Sequence, residues 1–107
     1  MNNWGGKRCI YDIVYDILLS MLTTHRGTKT RICRASNLPL DRCERVLELI
    51  KELGLAYSTN IGGREIYQLT DRGYQYIGVY EALIELLPTR RLNWKRYLSG
   101  GAGWVTP

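Results

Sequence analysis

Between residues 8 and 24 the main apolar positions are Ile10, Ile13, Val14, Ile17, Leu18, Met21 and Leu22. Their spacing of 3, 1, 3, 1, 3 and 1 is that of one helix face. Asp12 and Asp16 fall on the other face and suit a helix's N-terminal half. Gly27 is the expected residue just past the helix end. Thr28 is a cap for a short second helix opening Lys29-Thr30-Arg31, with Ile32 and Ala35 or Ser36 as its inner side. Asn37 to Pro39 is turn chemistry, since Asn tolerates the left-handed conformation and Pro starts a helix well. A third helix is predicted from about Pro39 to Leu53, carried by Cys43, Val46, Leu47, Ile50 and Leu53 and stopped by Gly54. The period then changes to alternation over residues 55–60 and 64–69, around Ile61-Gly62-Gly63, which reads as a β-hairpin. Thr70 and Asp71 open a last helix, with Tyr74, Ile77, Tyr80 or Glu81, Ile84 and Leu87 along its stripe and Pro88 at its end.

The predicted order is helix, helix, helix, hairpin, helix: an α+β fold, mostly α. The short turn between the second and third helices is that of a helix-turn-helix, and a hairpin directly after it is a wing. Leu53, Leu55, Tyr67 and Leu69 are expected in one small core below that hairpin. Gly73 is expected where a side chain would crowd a neighbouring element, because a helical glycine otherwise costs about 1 kcal/mol relative to alanine. Three segments follow: residues 1–8 as a flexible N-terminus, 9–88 as the folded domain, and 89–107 as a basic and aromatic tail. The tail interleaves Arg90, Arg91, Lys95 and Arg96 with Trp94 and Tyr97, which suits either a second nucleic-acid arm or packing on a partner chain.

Length adds little, since 107 residues make one domain. Charge adds more. Fifteen Lys/Arg against ten Asp/Glu give +5, which favours polyanionic partners. No apolar run reaches the roughly 18–20 residues of a membrane span, and Asp12 and Asp16 interrupt any leader-like segment. A cytoplasmic, nucleoid-associated location is therefore expected, with no membrane partner. Cys9, Cys33 and Cys43 are odd in number and contain no CxxC, so small buried thiols are expected rather than a disulfide framework or a zinc site. With a single histidine, His25, and no phosphate-binding glycine loop, neither a cofactor, a metal nor an enzyme activity is expected.

The segments Thr28-Lys29-Thr30-Arg31-Ile32, Asn37-Leu38, Val46 to Leu55 (VLELIKELGL) and Tyr67 to Gly73 (YQLTDRG) resemble, in this order, a winged helix-turn-helix domain. The chain is similar to the small archaeal winged-helix DNA-binding proteins and more distantly to MarR-type regulators, over about residues 10–87. The resemblance implies that the third helix enters the major groove and that the second helix and the wing meet phosphate. On that footing Arg42 and Arg45, three apart near the start of the third helix, are the candidate base readers. The alternative is a solvated face of weak pairs with Glu44 and Glu48, and from Asp41 to Leu53 four acids outnumber three bases. In the second helix region Arg26, Lys29, Arg31 and Arg34 stand with no acid between Asp16 and Asp41. Thr28, Lys29, Thr30 and Arg31 are the candidate phosphate contacts. Arg64, beside the wing tip, either touches a backbone or is a solvated turn residue.

The resemblance also implies a homodimer, with Tyr76, Val79, Tyr80, Leu83, Ile84 and Leu87 of the last helix at the two-fold contact. The intramolecular alternative has Leu92, Trp94 and Leu98 of the tail covering that face. Taken together these readings describe a transcriptional regulator that binds double-stranded DNA with sequence preference and without an evident small-molecule effector. The rivals are a non-specific architectural DNA-binding protein and a winged helix used for protein–protein assembly.

Overall fold

The computed structural model describes residues 8–24 and 27–88. It contains α1 (Ile10–Thr23), α2 (Lys29–Ala35), α3 (Leu40–Glu52), β1 (Ala56–Ile61), β2 (Arg64–Leu69) and α4 (Asp71–Leu86). The strands form one antiparallel hairpin, in register from Ala56–Leu69 to Ile61–Arg64. Among the described residues no helix is long and apolar enough to cross a membrane.

Local chemistry fixes each boundary. At α2 the Thr28 hydroxyl accepts from the Arg31 N–H at 3.4 Å. The helix ends on Asn37 with φ +60°, where the Asn37 and Leu38 N–H groups turn back to the carbonyls of Arg34 and Cys33. Helix α3 closes in the same way, with Gly54 at φ +74° and the N–H groups of Gly54 and Leu55 bonded to the carbonyls of Lys51 and Ile50. Both ends are the paired reverse bonds of a Schellman turn. Gly62 and Gly63, at φ +59° and +79°, make the two-residue turn whose hand matches strand twist. Thr70 caps α4 by accepting from the Gly73 N–H at 3.2 Å and donates its own hydroxyl to the Gly54 carbonyl. A Cβ on Gly73 would lie 2.2 Å from the Leu55 carbonyl oxygen, so the expected close approach is real.

The core joins Val14, Ile17, Leu18 and Met21 of α1 to Ile32 of α2, to Val46, Leu47 and Ile50 of α3, and to Leu55, Tyr67, Leu69 and Ile77. Several expectations need correction. Ile10 and Leu22 stand half-exposed at the two ends of α1, beyond the reach of the core. Leu53 is 48% exposed: α3 has already ended, and the turn at Gly54 sends Leu55 inward in its place. Tyr74 is likewise exposed, and Ile77 and Tyr80 take the inner face of α4. On α2 the inner side is Ile32, Cys33 and Ser36, not Ala35. Gly27 does not cap α1. Its carbonyl accepts from the Tyr67 N–H at 2.9 Å, and Thr28 forms a bridge to Ile66, so this segment lies along the hairpin like a third strand.

Two larger corrections concern Arg8 and the cysteines. Arg8 is not part of a flexible N-terminus. Its guanidinium, 5% exposed as a side chain, pairs with Asp16 at 2.7 Å. It also donates to the carbonyls of Ser36 and Asn37 at 2.9 and 3.2 Å. A cation thus satisfies carbonyls at the end of α2. Cys33 and Cys43 are not free thiols but a disulfide joining α2 to α3, with Cα atoms 5.7 Å apart. Spacing could not reveal it, because ten residues span a whole turn and the two faces meet only once the helices pack. Cys9 is free and exposed.

The tyrosines tie α4 to α1. Tyr80 stacks on Tyr15 with ring centroids 4.1 Å apart, and its hydroxyl donates to Asp12. The Tyr76 hydroxyl donates to the Tyr11 carbonyl at 2.7 Å, and that of Tyr15 to Glu81 at 2.7 Å. Each ring buries apolar area while its hydroxyl stays satisfied.

Candidate nucleic-acid interface

Helix α2 and the wing converge on one face. The bridge between Thr28 and Ile66 brings the start of α2 against the wing. A shallow depression of about 540 Å³ lies there, lined by the cap residue Thr28, by Lys29, Thr30, Arg31 and Arg34 from α2, and by Arg64 and Glu65 from β2. Four cations and one carboxylate thus surround it. All four members of the sequence-predicted α2 set and the predicted wing residue are brought together. Arg34 joins them as a lining residue; its place in the basic run was the signal for it. His25, Arg26 and the tail lie outside the described residues.

Arg42 and Arg45 are exposed on α3 but do not line this depression. At 3.6 residues per turn, Arg42 points about 160° and Arg45 about 100° away from Glu44. Glu44 is a charged α3 side chain turned, like Cys43, toward α2, and it pairs with Lys29 at 3.3 Å. Both partners of that pair are well exposed, so its net contribution is about 0–1 kcal/mol. Its consequence is electrostatic: one carboxylate already claims part of the Lys29 charge.

A second group of charges holds the wing to α3. Glu65 accepts from the Ser58 hydroxyl at 2.8 Å and pairs with Lys51 at 3.6 Å. The Ser58 hydrogen bond is the largest influence and, helped by the Lys51 charge, holds the Glu65 carboxyl below its ordinary value; burial opposes it, less than the Ser58 bond but more than the Lys51 charge. Lys51 also sits 5.8 Å above the Tyr67 ring. Burial, with Glu65 alongside, pushes the Tyr67 hydroxyl up to about 12. At neutral pH the wing base is therefore a fixed arrangement of one anion, one cation and one neutral phenol. The sequence did not reveal Glu65, and it offered Glu44 only as a partner on its own helix, not as the partner of Lys29. The diagonal from Ser58 to Glu65 was implicit in the hairpin register, whereas the Lys29–Glu44 contact depends on how α2 crosses α3.

Elsewhere, α1 and α4 border an apolar groove of about 640 Å³, lined mainly by Tyr11, Leu55, Tyr76, Val79, Leu83 and Ile84. Val79, Leu83 and Leu87 are 57–62% exposed. Tyr80, included in the expected dimer set, is buried within the chain and offers little surface to a second copy. Tyr76 is half-buried against the core.

A family model described as winged helix-turn-helix matches residues 7–87, and the chain belongs to that family. The match starts at residue 7 and so includes Arg8, as the structure does. No curated protein sequence matches it. Among solved structures it is similar to Sso10a-2, a DNA-binding protein from Sulfolobus solfataricus, with a TM-score of 0.70 and 19% identity. That alignment covers 87% of this chain and 95% of the other. AF1382 from Archaeoglobus fulgidus aligns with a TM-score of 0.60 and 18% identity, over 73% and 86% of the two chains. A mutant of MepR from S. aureus, bound to an oligodeoxyribonucleotide, aligns at 0.58 and 12%, over 83% and 71%. The expected resemblance and the winged-helix fold class are thus both shown.

Proposed function

We propose that the chain binds double-stranded DNA, through phosphate contacts from α2 and the wing, as a transcriptional regulator. The observation that carries this reading is the convergence of Lys29, Arg31, Arg34 and Arg64 on one depression beside exposed α3. Thr28 and Thr30 add hydroxyl donors there, and Arg42 and Arg45 are the side chains of α3 able to reach base edges. Solved neighbours that are DNA-binding proteins or hold DNA support the same reading. A cytoplasmic, nucleoid-associated location follows from it.

The test is retention on duplex DNA across a salt series. Each neutralised phosphate adds roughly −0.9 to the slope of log affinity against log salt. Four phosphate contacts from the depression therefore give a slope near −3.6. A flat dependence rejects the reading and favours assembly with an acidic protein. The offset of Arg42 and Arg45 from the depression, with Glu44 between, favours one rival in particular: backbone-dominated, non-specific architectural binding. In that case affinity for random and selected duplexes is equal.

The active species in this proposal is a homodimer joined along α4, with Val79, Leu83, Ile84 and Leu87 at the contact and Tyr76 at its edge. A helix with apolar side chains on its outer face must cover them somewhere. Sedimentation at micromolar concentration is expected to give a dimer, both for the full chain and for one ending at Pro88. A full-length monomer rejects the dimer; a dimer lost only on truncation moves the contact to the tail.

A further inference from the structure

The covalent tie between α2 and α3 has no role yet in the proposed function. Helix α2 is seven residues long, too short to be stable by itself. Of its own residues only Ile32 and Cys33 are buried. It nevertheless carries Lys29, Thr30, Arg31 and Arg34, four of the residues around the basic depression. Its position is set by few groups: the Thr28 bridge to the wing at one end, the Arg8 guanidinium on the Ser36 and Asn37 carbonyls at the other, Ile32 in the core, the exposed Lys29–Glu44 pair, and the Cys33–Cys43 bond, which alone among these is covalent. Cys43 lies in the first turn of α3, next to Arg42 and two residues before Arg45. The disulfide therefore fixes the offset between the side chains assigned to phosphate and those assigned to bases.

Both cysteines are almost sealed from solvent, at 3% and 0% exposure. A dithiol reaches the sulfurs only when α2 lifts from α3. A duplex contacting both helices opposes that motion. We infer that the Cys33–Cys43 bond and DNA binding are thermodynamically linked: the disulfide form binds duplex DNA more tightly than the dithiol form, and bound DNA protects the bond from reduction. The inference rests on the DNA-binding reading above. Linkage requires the two effects to be equal, because the four states form a closed cycle.

The chemistry is ordinary thiol–disulfide exchange. A thiolate of dithiothreitol attacks one sulfur and forms a mixed disulfide, and the second thiol closes the reagent's ring and releases the protein. The protein's S–S bond gains two electrons and two protons and becomes the thiols of Cys33 and Cys43, while dithiothreitol is oxidised to its cyclic disulfide. The exposed third thiol is removed from the exchange by Cys9→Ser.

The experiment measures affinity for one random-sequence duplex, at one salt concentration, with the Cys9→Ser chain held fully oxidised and then fully reduced. Reduction is expected to weaken binding by a factor on the order of 5–150, the usual range of coupling between sites. The ratio of reduced to oxidised dithiothreitol that half-reduces the bond is then measured with and without saturating duplex, and is expected to rise by the same factor. Equal affinity in the two redox states, or a ratio unmoved by bound DNA, overturns the linkage and leaves DNA binding standing. No binding by the oxidised chain overturns the DNA reading itself, and the linkage with it. Adding Cys33→Ala and Cys43→Ala is expected to reproduce the affinity of the reduced chain and to remove all response to dithiothreitol. Affinity equal to that of the oxidised chain overturns the covalent tie as the cause. Should that variant fail to fold, the redox titration of the Cys9→Ser chain decides alone.

Discussion

Gly73→Ala is expected to destabilise the domain by about 2–4 kcal/mol, although alanine is the better helix former. The added Cβ would sit 2.2 Å from the Leu55 carbonyl oxygen and 3.1 Å from Leu69 Cδ2. The first of these is backbone, held in place by the Schellman turn that ends α3 and by the Thr70 N–H that donates to it at 3.1 Å. To relieve the clash, the first turn of α4 must lift away from the junction of α3 and β1. That strains the Thr70 bonds to the Gly54 and Leu55 carbonyls together. Overpacking costs about 1–3 kcal/mol, and each net hydrogen bond about 1 kcal/mol. The helix-propensity gain of about 1 kcal/mol offsets part of this. For a domain of this size the melting temperature falls by roughly 4–8 °C per kcal/mol, so a drop of at least about 10 °C is expected by circular dichroism. Gly78 supplies the control. It lies on the same helix with nothing within 4 Å of its would-be Cβ, so Gly78→Ala is expected to raise the melting temperature by a few degrees. Equal melting temperatures for the two variants would sink the close-approach account.

That glycine belongs to the part of the fold legible from sequence. Caps and turn residues act locally, so Thr28, Asn37, Gly54, the Gly62-Gly63 pair and Thr70 announce their roles without knowledge of the tertiary structure. Periodicity did the same for α1 and α3, whose buried apolar residues lie on the predicted stripes. Illegible were the features that exist only after packing. Arg8 reads as one more basic residue near a glycine-containing start. Only in three dimensions does it meet Asp16, eight residues on, and the end of α2, about 28 residues on. The disulfide has the same origin, since Cys33 and Cys43 face each other only when α2 crosses α3. Leu53 failed for a subtler reason: it continues the apolar spacing of α3, but the helix stops one residue short of it.

The candidate interface divides along the same line. Charge density near Thr28 and the hairpin turn at Gly62-Gly63 were both visible, and a winged-helix topology brings them to one face. Which α3 side chains share that face was not visible, because it depends on the rotation of α3 about its own axis. That rotation turns Glu44 toward Lys29 and carries Arg42 to the opposite flank.

The second large effect follows from this geometry. Arg31→Ala combined with Arg64→Ala, one substitution on each side of the depression, is expected to weaken duplex binding by a factor on the order of 60 at 0.1 M salt. Each lost phosphate contact removes about 0.9 from the salt slope, and two therefore remove about 1.8. At one decade below 1 M that amounts to about 1.8 powers of ten. The loss is expected to be the same for every sequence, because phosphates carry no sequence information. Removing Lys29 instead would leave Glu44 without its partner at 3.3 Å, which adds a repulsion to the lost attraction. Arg42→Ala with Arg45→Ala is the complementary pair. If these side chains read bases, their loss costs about 1–3 kcal/mol each on a selected site and far less on a random one, with the salt slope nearly unchanged. Binding isotherms for both double variants on random and selected duplexes, at three salt concentrations, separate the two roles. Equal losses from the two pairs on both duplexes would make α3 a backbone contact like α2 and the protein a non-specific binder.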